Sequence, residues 1–125
     1  MFSSLAFFIG GYGGPSYSLE LKIQSGELQE KAIRFDAEFY SHQSAEKIIL
    51  PNPQISLPDW LSQWDTLNVA HWKPSYQAEA VVDGTNWSLE YTENGIQHQS
   101  NGSNRHPRGW RKFIQWIQQR YPEIS

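Results

Sequence analysis

The chain reads WSLEYTENGIQHQS over residues 87–100, and this stretch has the pattern of a β-hairpin. Every second residue from Trp87 to Tyr91 is apolar, which is typical of a strand with one buried face. Asn94-Gly95 follows, and both residues tolerate the positive φ angles that a two-residue hairpin turn requires. The register that this turn imposes places Tyr91 directly opposite His98. The stretch therefore predicts two antiparallel strands that share a buried face.

Similar patterns elsewhere in the chain extend this hairpin into a larger sheet. Strands are predicted at residues 5–9, 17–24, 28–39, 48–50 and 78–82, with turns at Ser25-Gly26 and Asp83-Gly84. In the strand at 28–39, Leu28 and Ala32 have the opposite parity to Ile33 and Phe35. A β-bulge near Lys31 is expected to bring all four onto one face.

Two helices are predicted beside the sheet. Residues 56–59, Ser-Leu-Pro-Asp, fit a capping box, in which the serine hydroxyl accepts a hydrogen bond from an amide of the first turn. Apolar residues then follow at helical spacing over 57–67. A second apolar stripe covers 110–121, with Asn104 as its expected cap and Pro107 in its first turn.

These elements define the expected architecture. Residues 1–125 are predicted to form a single α+β domain, with two helices packed on one face of an antiparallel β-sheet of about five to seven strands. Six Trp, six Tyr and six Phe supply the apolar surface for a compact core. The chain has no cysteine, which excludes disulfides and thiolate metal sites and favours a cytoplasmic location. No apolar run reaches the roughly 18 residues of a membrane span, so no membrane association is expected.

The charges are divided unevenly along the chain. Residues 1–100 carry five Lys and Arg against twelve Asp and Glu, whereas residues 101–125 carry five against one. The acidic majority disfavours nucleic-acid binding by the whole protein, because that affinity comes chiefly from neutralising phosphates. A narrower nucleic-acid contact is an alternative hypothesis, with Arg108 and Lys112 on the outer face of the last helix and Trp116 at its flank.

The polar residues provide a second alternative hypothesis, a small hydrolase or ligand-binding site. Its residues would be His98, His106, Asp83 and Ser103, gathered around the loop that precedes the last helix. No histidine lies at the close spacing to another that is typical of a metal site, and no nucleophile elbow is present. The sequence therefore predicts neither a catalytic residue, nor a bound metal, nor a cofactor.

Three segments carry a family resemblance. They read YGGPSYSLEL over 12–21, DGTNWSLE over 83–90 and GSNRHPRGWRKF over 102–113. In these segments the chain resembles a set of small bacterial α+β proteins, some of which look like immunity or accessory proteins. The resemblance implies a bacterial source and a single-domain α+β fold. It carries no catalytic residue to this chain.

The leading functional hypothesis is a protein without enzymatic activity that binds another protein, in the manner of an immunity or inhibitor protein that neutralises a toxin. Acidic side chains of the sheet would steer a basic partner, and aromatic residues outside the core would anchor it. The acidic candidates are Glu20, Glu30, Glu38, Glu90 and Glu93. The aromatic candidates are Tyr12, Tyr40 and Trp116. The oligomeric state is left open.

Overall fold

The computed structural model describes residues 2–11, 14–37, 44–77 and 85–124. Over these ranges the chain forms a seven-stranded sheet in the order β4-β3-β2-β1-β6-β7-β5. The strands are β1 (Phe2–Gly11), β2 (Ser16–Gln24), β3 (Glu27–Ala37), β4 (Ser44–Ile49), β5 (Ser75–Gln77), β6 (Thr85–Glu93) and β7 (Ile96–Ser103). All neighbours are antiparallel except the short edge strand β5, which runs parallel to β7. The predicted α+β architecture is confirmed.

The helices form a second layer on one side of the sheet. Helix α1 (Leu57–Ser62) continues into 3₁₀ turns at Trp64–Leu67 and Val69–His71, and helix α2 is Trp110–Arg120. The Ser56 hydroxyl accepts from the Asp59 amide at 3.3 Å, as the capping pattern predicts. Rings from this layer pack on the strands, for example Phe113 on Phe7 with centroids 5.1 Å apart. Both predicted helices therefore pack on the same face of the sheet.

Alternation along the strands gives the sheet two different faces. The inner face, toward the helices, carries buried residues such as Phe7, Leu19 and Leu89. The outer face carries their neighbours in the sequence, such as Phe8, Ser18 and Glu90, on which no described element packs. The outer face is therefore an open surface of the described structure.

The hairpin prediction is confirmed and the bulge prediction is wrong. Asn94 and Gly95 have φ angles of 53° and 77°, and Tyr91 pairs with His98. Strand β3 pairs with β2 in unbroken register from Glu27 to Phe35, without a bulge near Lys31. Both faces of β3 are partly apolar, so its two sets of apolar residues occupy opposite faces and no bulge is needed.

The start of α2 also differs from the prediction. The helix begins at Trp110 after Gly109, whose φ is 90°, and no side chain caps it. Asn104 lies instead beside β6. Its side-chain Oδ1 accepts from the Thr85 backbone amide at 2.8 Å, and its backbone amide donates to the Thr85 carbonyl at 2.8 Å. Asn104 therefore fixes the loop after β7 to the start of β6. The strand predicted at 78–82 lies outside the described residues.

Candidate functional site

Two of the predicted acidic residues meet on the outer face. Ala6 of β1 pairs with Glu20 of β2 on one side and with Glu90 of β6 on the other. Since neighbouring strands lie about 4.8 Å apart, the two glutamate Cα atoms are roughly 10 Å apart across the alanine. Both glutamates are exposed, and Gln99 Nε2 donates to Glu90 Oε1 at 2.9 Å. The short alanine side chain leaves a groove of about 210 Å³ between the carboxylates, and Lys22 also lines this groove. Lys31 of β3 lies opposite Glu20 on the same face.

An apolar patch lies next to this groove on the same face. Phe8 is two residues from Ala6 along β1 and is 38% exposed. Register then connects Phe8 through Ser18 and Ile33 to Ile48, which is 70% exposed on the edge strand β4. Phe35 lies on the same face and, like Ile33, is half-buried. We call Phe8, Ile33, Phe35 and Ile48 the outer apolar patch.

Gly10 allows the Phe8 ring to lie flat on the strand. A Cβ atom at Gly10 would lie 3.1 Å from Phe8 Cζ, and it would also collide with the Ser16 side chain. The ring therefore leans along β1 over the glycine toward Ser16, the residue opposite Phe35. This arrangement brings the two phenylalanines of the patch to either side of one serine. Sequence reasoning missed the patch because residues 5–9 are all apolar, so no alternation along β1 marks Phe8 as a residue of the outer face.

Two of the remaining acidic candidates, Glu30 and Glu93, lie elsewhere, which corrects the prediction of one acidic surface. Glu93 is half-buried and faces the helix layer, in a depression that Asp65 and His71 also line. Glu30 points inward from β3, where Arg120 Nη2 donates to its Oε1 at 2.5 Å and Tyr121 Oη donates to its Oε2 at 2.5 Å. Glu30 is thus part of the interior structure and cannot act as a rim contact. Tyr12, Glu38 and Tyr40 lie outside the described residues.

Burial and the hydrogen bonds around the Glu30–Arg120 ion pair shift the pKa values of Glu30 and Tyr121. Burial alone would raise the pKa of Glu30, but hydrogen bonds from Arg120 and Tyr121, with the guanidinium charge, bring the pKa below its usual value. Burial and the neighbouring carboxylate raise the pKa of Tyr121. Arg120 Nη1 also donates to the Ile55 carbonyl at 3.0 Å, and the guanidinium lies 5.7 Å from the centroid of the Trp60 ring. The cluster joins β3, the chain before α1 and the end of α2.

Trp116 was expected at an exposed flank of the last helix, and that prediction is wrong. Its side chain is 1% exposed. Helix α2 packs on the sheet through Phe113 and on α1 through Trp116. Because it has two neighbours, a wider part of its surface is buried than a helix packed on the sheet alone would bury. Trp116 therefore contributes to the core and not to a binding surface.

Arg108 was predicted on the outer face of the last helix but precedes α2, which begins at Trp110. Together with Lys112 of α2, it lines a separate cavity of about 490 Å³ on the helix side of the molecule. Arg108 and Lys112 are both exposed there. We call this cavity the basic pocket and define it by its principal lining residues: Leu67, His71, Trp72, Tyr76, Arg108 and Lys112. The sequence indicated the two cations but not the residues that face them across the pocket. Those residues belong to the 3₁₀ turns, which are distant from Arg108 and Lys112 in sequence and come close to them only in the folded chain.

Three of the hypothesised hydrolase residues, His98, Ser103 and His106, do not converge in the described structure. His98 lies on the inner face of β7 and stacks on Tyr91, with ring centroids 4.7 Å apart. Ser103 lies on the outer face of the same strand, opposite Asn86 and about 17 Å along the chain from His98. His106 packs on Trp110 at 4.6 Å, and partial burial lowers its pKa. Asp83 lies outside the described residues.

Within the described ranges, no group of three His, Asp or Glu side chains is placed to hold a metal ion. No helix of that part of the chain is long and apolar enough to cross a bilayer. Comparison with protein-family models and with curated proteins finds no match to this chain.

Proposed function

We propose that the protein binds another protein through its outer face, in the manner of an immunity or inhibitor protein that neutralises a bacterial toxin. The observation that carries this proposal is the position of the Glu20–Ala6–Glu90 groove directly beside the outer apolar patch. An open surface that combines exposed apolar residues with charge is typical of protein interaction sites. The partner would therefore present a basic side chain next to apolar residues.

The size of the outer face suits such a contact. Seven strands at about 4.8 Å spacing and about 20 Å of strand length give a surface on the order of 600 to 700 Å². A typical stable interface buries about 800 Å² on each partner. A partner that covers this face, together with its margins, would therefore reach an ordinary interface area.

The groove and the patch would contribute differently to binding. A lysine or arginine of the partner would lie over Ala6 with Glu20 on one side and Glu90 on the other, and the two carboxylates would speed association. The Phe8 ring supplies apolar area that a partner would bury, and it would contribute mainly to slow dissociation. The two parts of the surface can therefore be tested separately.

The test starts with capture on the immobilised protein from lysate of the source cells, followed by purification of the captured protein and calorimetry. The Phe8→Ser variant and the Glu20→Gln/Glu90→Gln double variant should each weaken binding by about tenfold or more. The matched control is Glu123→Gln, an exposed glutamate outside the sheet that should leave affinity unchanged. Absence of a partner, or equal binding by all variants, would contradict the proposal.

A further inference from the structure

The basic pocket lies on the side of the molecule opposite the outer face, so it has no role in the proposed docking. Its walls are the 3₁₀ turns between Thr66 and His71, the following Trp72, Tyr76 of β5, and the residues around Gly109 at the start of α2. Its volume of about 490 Å³ lies within the range of small-molecule sites, roughly 300 to 1,000 Å³. The pocket is large enough for a ligand with one ring system and a charged group.

The charge of the pocket selects for an anion. Arg108, Lys112 and His71 line it, whereas no described carboxylate does. Within the described ranges, neither Arg108 nor Lys112 forms an ion pair. Lys112 Nζ reaches the Thr66 carbonyl at 3.4 Å, which holds the ammonium at the wall of the pocket. Two cations without counter-ions beside one cavity form a favourable site for a phosphate group.

Two carboxylates line a neighbouring depression and not the pocket itself. Asp65 and Glu93 line this depression, which shares Asn68 and His71 with the pocket. Arg108 and Lys112 line only the pocket. A phosphate bound at Arg108 and Lys112 would therefore contact residues that do not line the depression with the two acids.

Trp72, which lines the pocket, has an indole nitrogen that is closed to solvent. Trp72 Nε1 is the single buried side-chain nitrogen or oxygen in the described residues that has no hydrogen-bond partner. By contrast, the indole nitrogens of Trp60, Trp87 and Trp116 each donate to a backbone carbonyl at 2.7 to 2.9 Å. Because Trp72 Nε1 is closed to solvent, a ligand in the open pocket would contact the exposed part of the indole ring and not this nitrogen.

The aromatic side chains of the same wall give the pocket a surface for a planar ring. Trp72 and Tyr76 are each half-buried, so part of each ring remains open to the cavity. The Lys73 amide donates to Tyr76 Oη at 2.9 Å, which fixes the orientation of the phenol ring. Trp72 is held by edge contacts with Trp87 and Phe113. The rings are therefore rigid, and rigid aromatic surfaces stack well on planar ligands.

We propose that the basic pocket binds a small phosphorylated ring compound of the nucleoside monophosphate class. The phosphate binds to Arg108 and Lys112, and the ring lies against Trp72 and Tyr76. The ligand thus uses the unpaired cations and the open aromatic surface of one cavity.

The probe is adenosine 5′-monophosphate, titrated into the full-length protein and followed by calorimetry and by the indole signals in ¹H–¹⁵N NMR spectra. Binding should shift one indole signal most strongly, and that signal should be missing from the spectrum of Trp72→Phe. Arg108→Gln and Lys112→Gln should each weaken binding by about tenfold, as expected for loss of a charge-assisted hydrogen bond. The matched control is Arg111→Gln, since Arg111 is exposed on α2 but does not line the pocket.

Adenosine, ribose 5-phosphate and inorganic phosphate separate the two halves of the ligand, and each should bind at least tenfold more weakly than the monophosphate. Equal affinity for phosphate alone would overturn the assignment of the ring, and no binding at millimolar concentration would overturn the proposal. Equal weakening by Arg111→Gln, or binding only to oligonucleotides, would indicate diffuse attraction to the helix instead and would also overturn it. The Glu20→Gln/Glu90→Gln variant should bind the monophosphate normally, so this result is independent of the docking partner.

Discussion

Trp60 of α1 and Trp116 of α2 each donate an indole hydrogen bond to the backbone carbonyl of the other, both at 2.7 Å. Their rings are stacked, with centroids 4.4 Å apart and planes within 7° of parallel. Both side chains are almost completely buried, so these polar groups would be costly to leave unpaired. The reciprocal pair therefore fixes the two helices to each other in one register above the sheet.

This pair gives the first prediction. Trp116→Phe should lower the free energy of unfolding by about 2 to 3 kcal/mol, because it opens space in the core and removes the indole donor from the Trp60 carbonyl, which then keeps only the Gln63 amide at 3.3 Å. Urea denaturation followed by circular dichroism measures the change. Trp110→Phe is the control, since Trp110 is half-buried and its indole makes no hydrogen bond within the described residues; its cost should be clearly smaller. Equal costs would show that the reciprocal hydrogen bonds add nothing to stability.

The sequence predicted those parts of the fold that depend on neighbouring residues. The Asn94-Gly95 turn and the Ser56 cap are local, so their chemistry was sufficient to indicate them. The burial of Trp116 could not be predicted in the same way, because it depends on α1 lying beside α2. A helical stripe indicates one buried face but not how many neighbours that face contacts.

The candidate sites were only partly predictable for the same reason. Glu20 and Glu90 were identified as acidic strand residues, but they meet only because β1 lies between β2 and β6. The basic pocket needs Trp72 and Arg108, which are distant in sequence and belong to different elements. Strand order and the packing of turns on helices are non-local, and a single sequence carries little direct information about them.

The second prediction concerns the ion pair of Glu30 with Arg120. Glu30→Gln should lower the free energy of unfolding by about 2 to 3 kcal/mol, somewhat less than for a fully buried pair because the Glu30 side chain is 18% exposed. Glu20→Gln, on the open outer face, is the matched control and should change stability by less than about 0.5 kcal/mol. Chemical denaturation of both variants provides the comparison. A Glu30 variant as stable as the control would mean that the pair is energetically neutral.

The third prediction is the pH dependence that this pair creates. The pKa of Glu30 in the folded protein lies below its ordinary value of 4.5, so the unfolded chain binds this proton more readily. The resulting stabilisation is fully present above pH 4.5 and is lost as the pH falls through the folded-state pKa. Denaturation midpoints measured between pH 3 and pH 7 should therefore fall more steeply at the acid end for the natural protein than for Glu30→Gln. Parallel curves would contradict the assignment.

The fourth prediction concerns Gly102, where β7 passes close under Trp87. A Cβ atom at this position would lie 2.5 Å from Trp87 Nε1 and 2.6 Å from the Arg105 carbonyl oxygen, and these two atoms share a hydrogen bond of 2.9 Å. The Arg105 oxygen belongs to the backbone and the indole is 2% exposed, so neither can move aside cheaply. Gly102→Ala should therefore lower the free energy of unfolding by about 2 to 4 kcal/mol.

Gly14 supplies the control for this substitution. A Cβ atom there would meet nothing within 4 Å, and Gly14→Ala should change stability by less than about 1 kcal/mol. The Trp87 indole signal in ¹H–¹⁵N spectra reports the local effect, because loss of its hydrogen bond to Arg105 should move that signal upfield. If Gly102→Ala retained both the indole shift and the stability of the natural protein, the close approach of β7 to Trp87 would not constrain the loop that leads into α2.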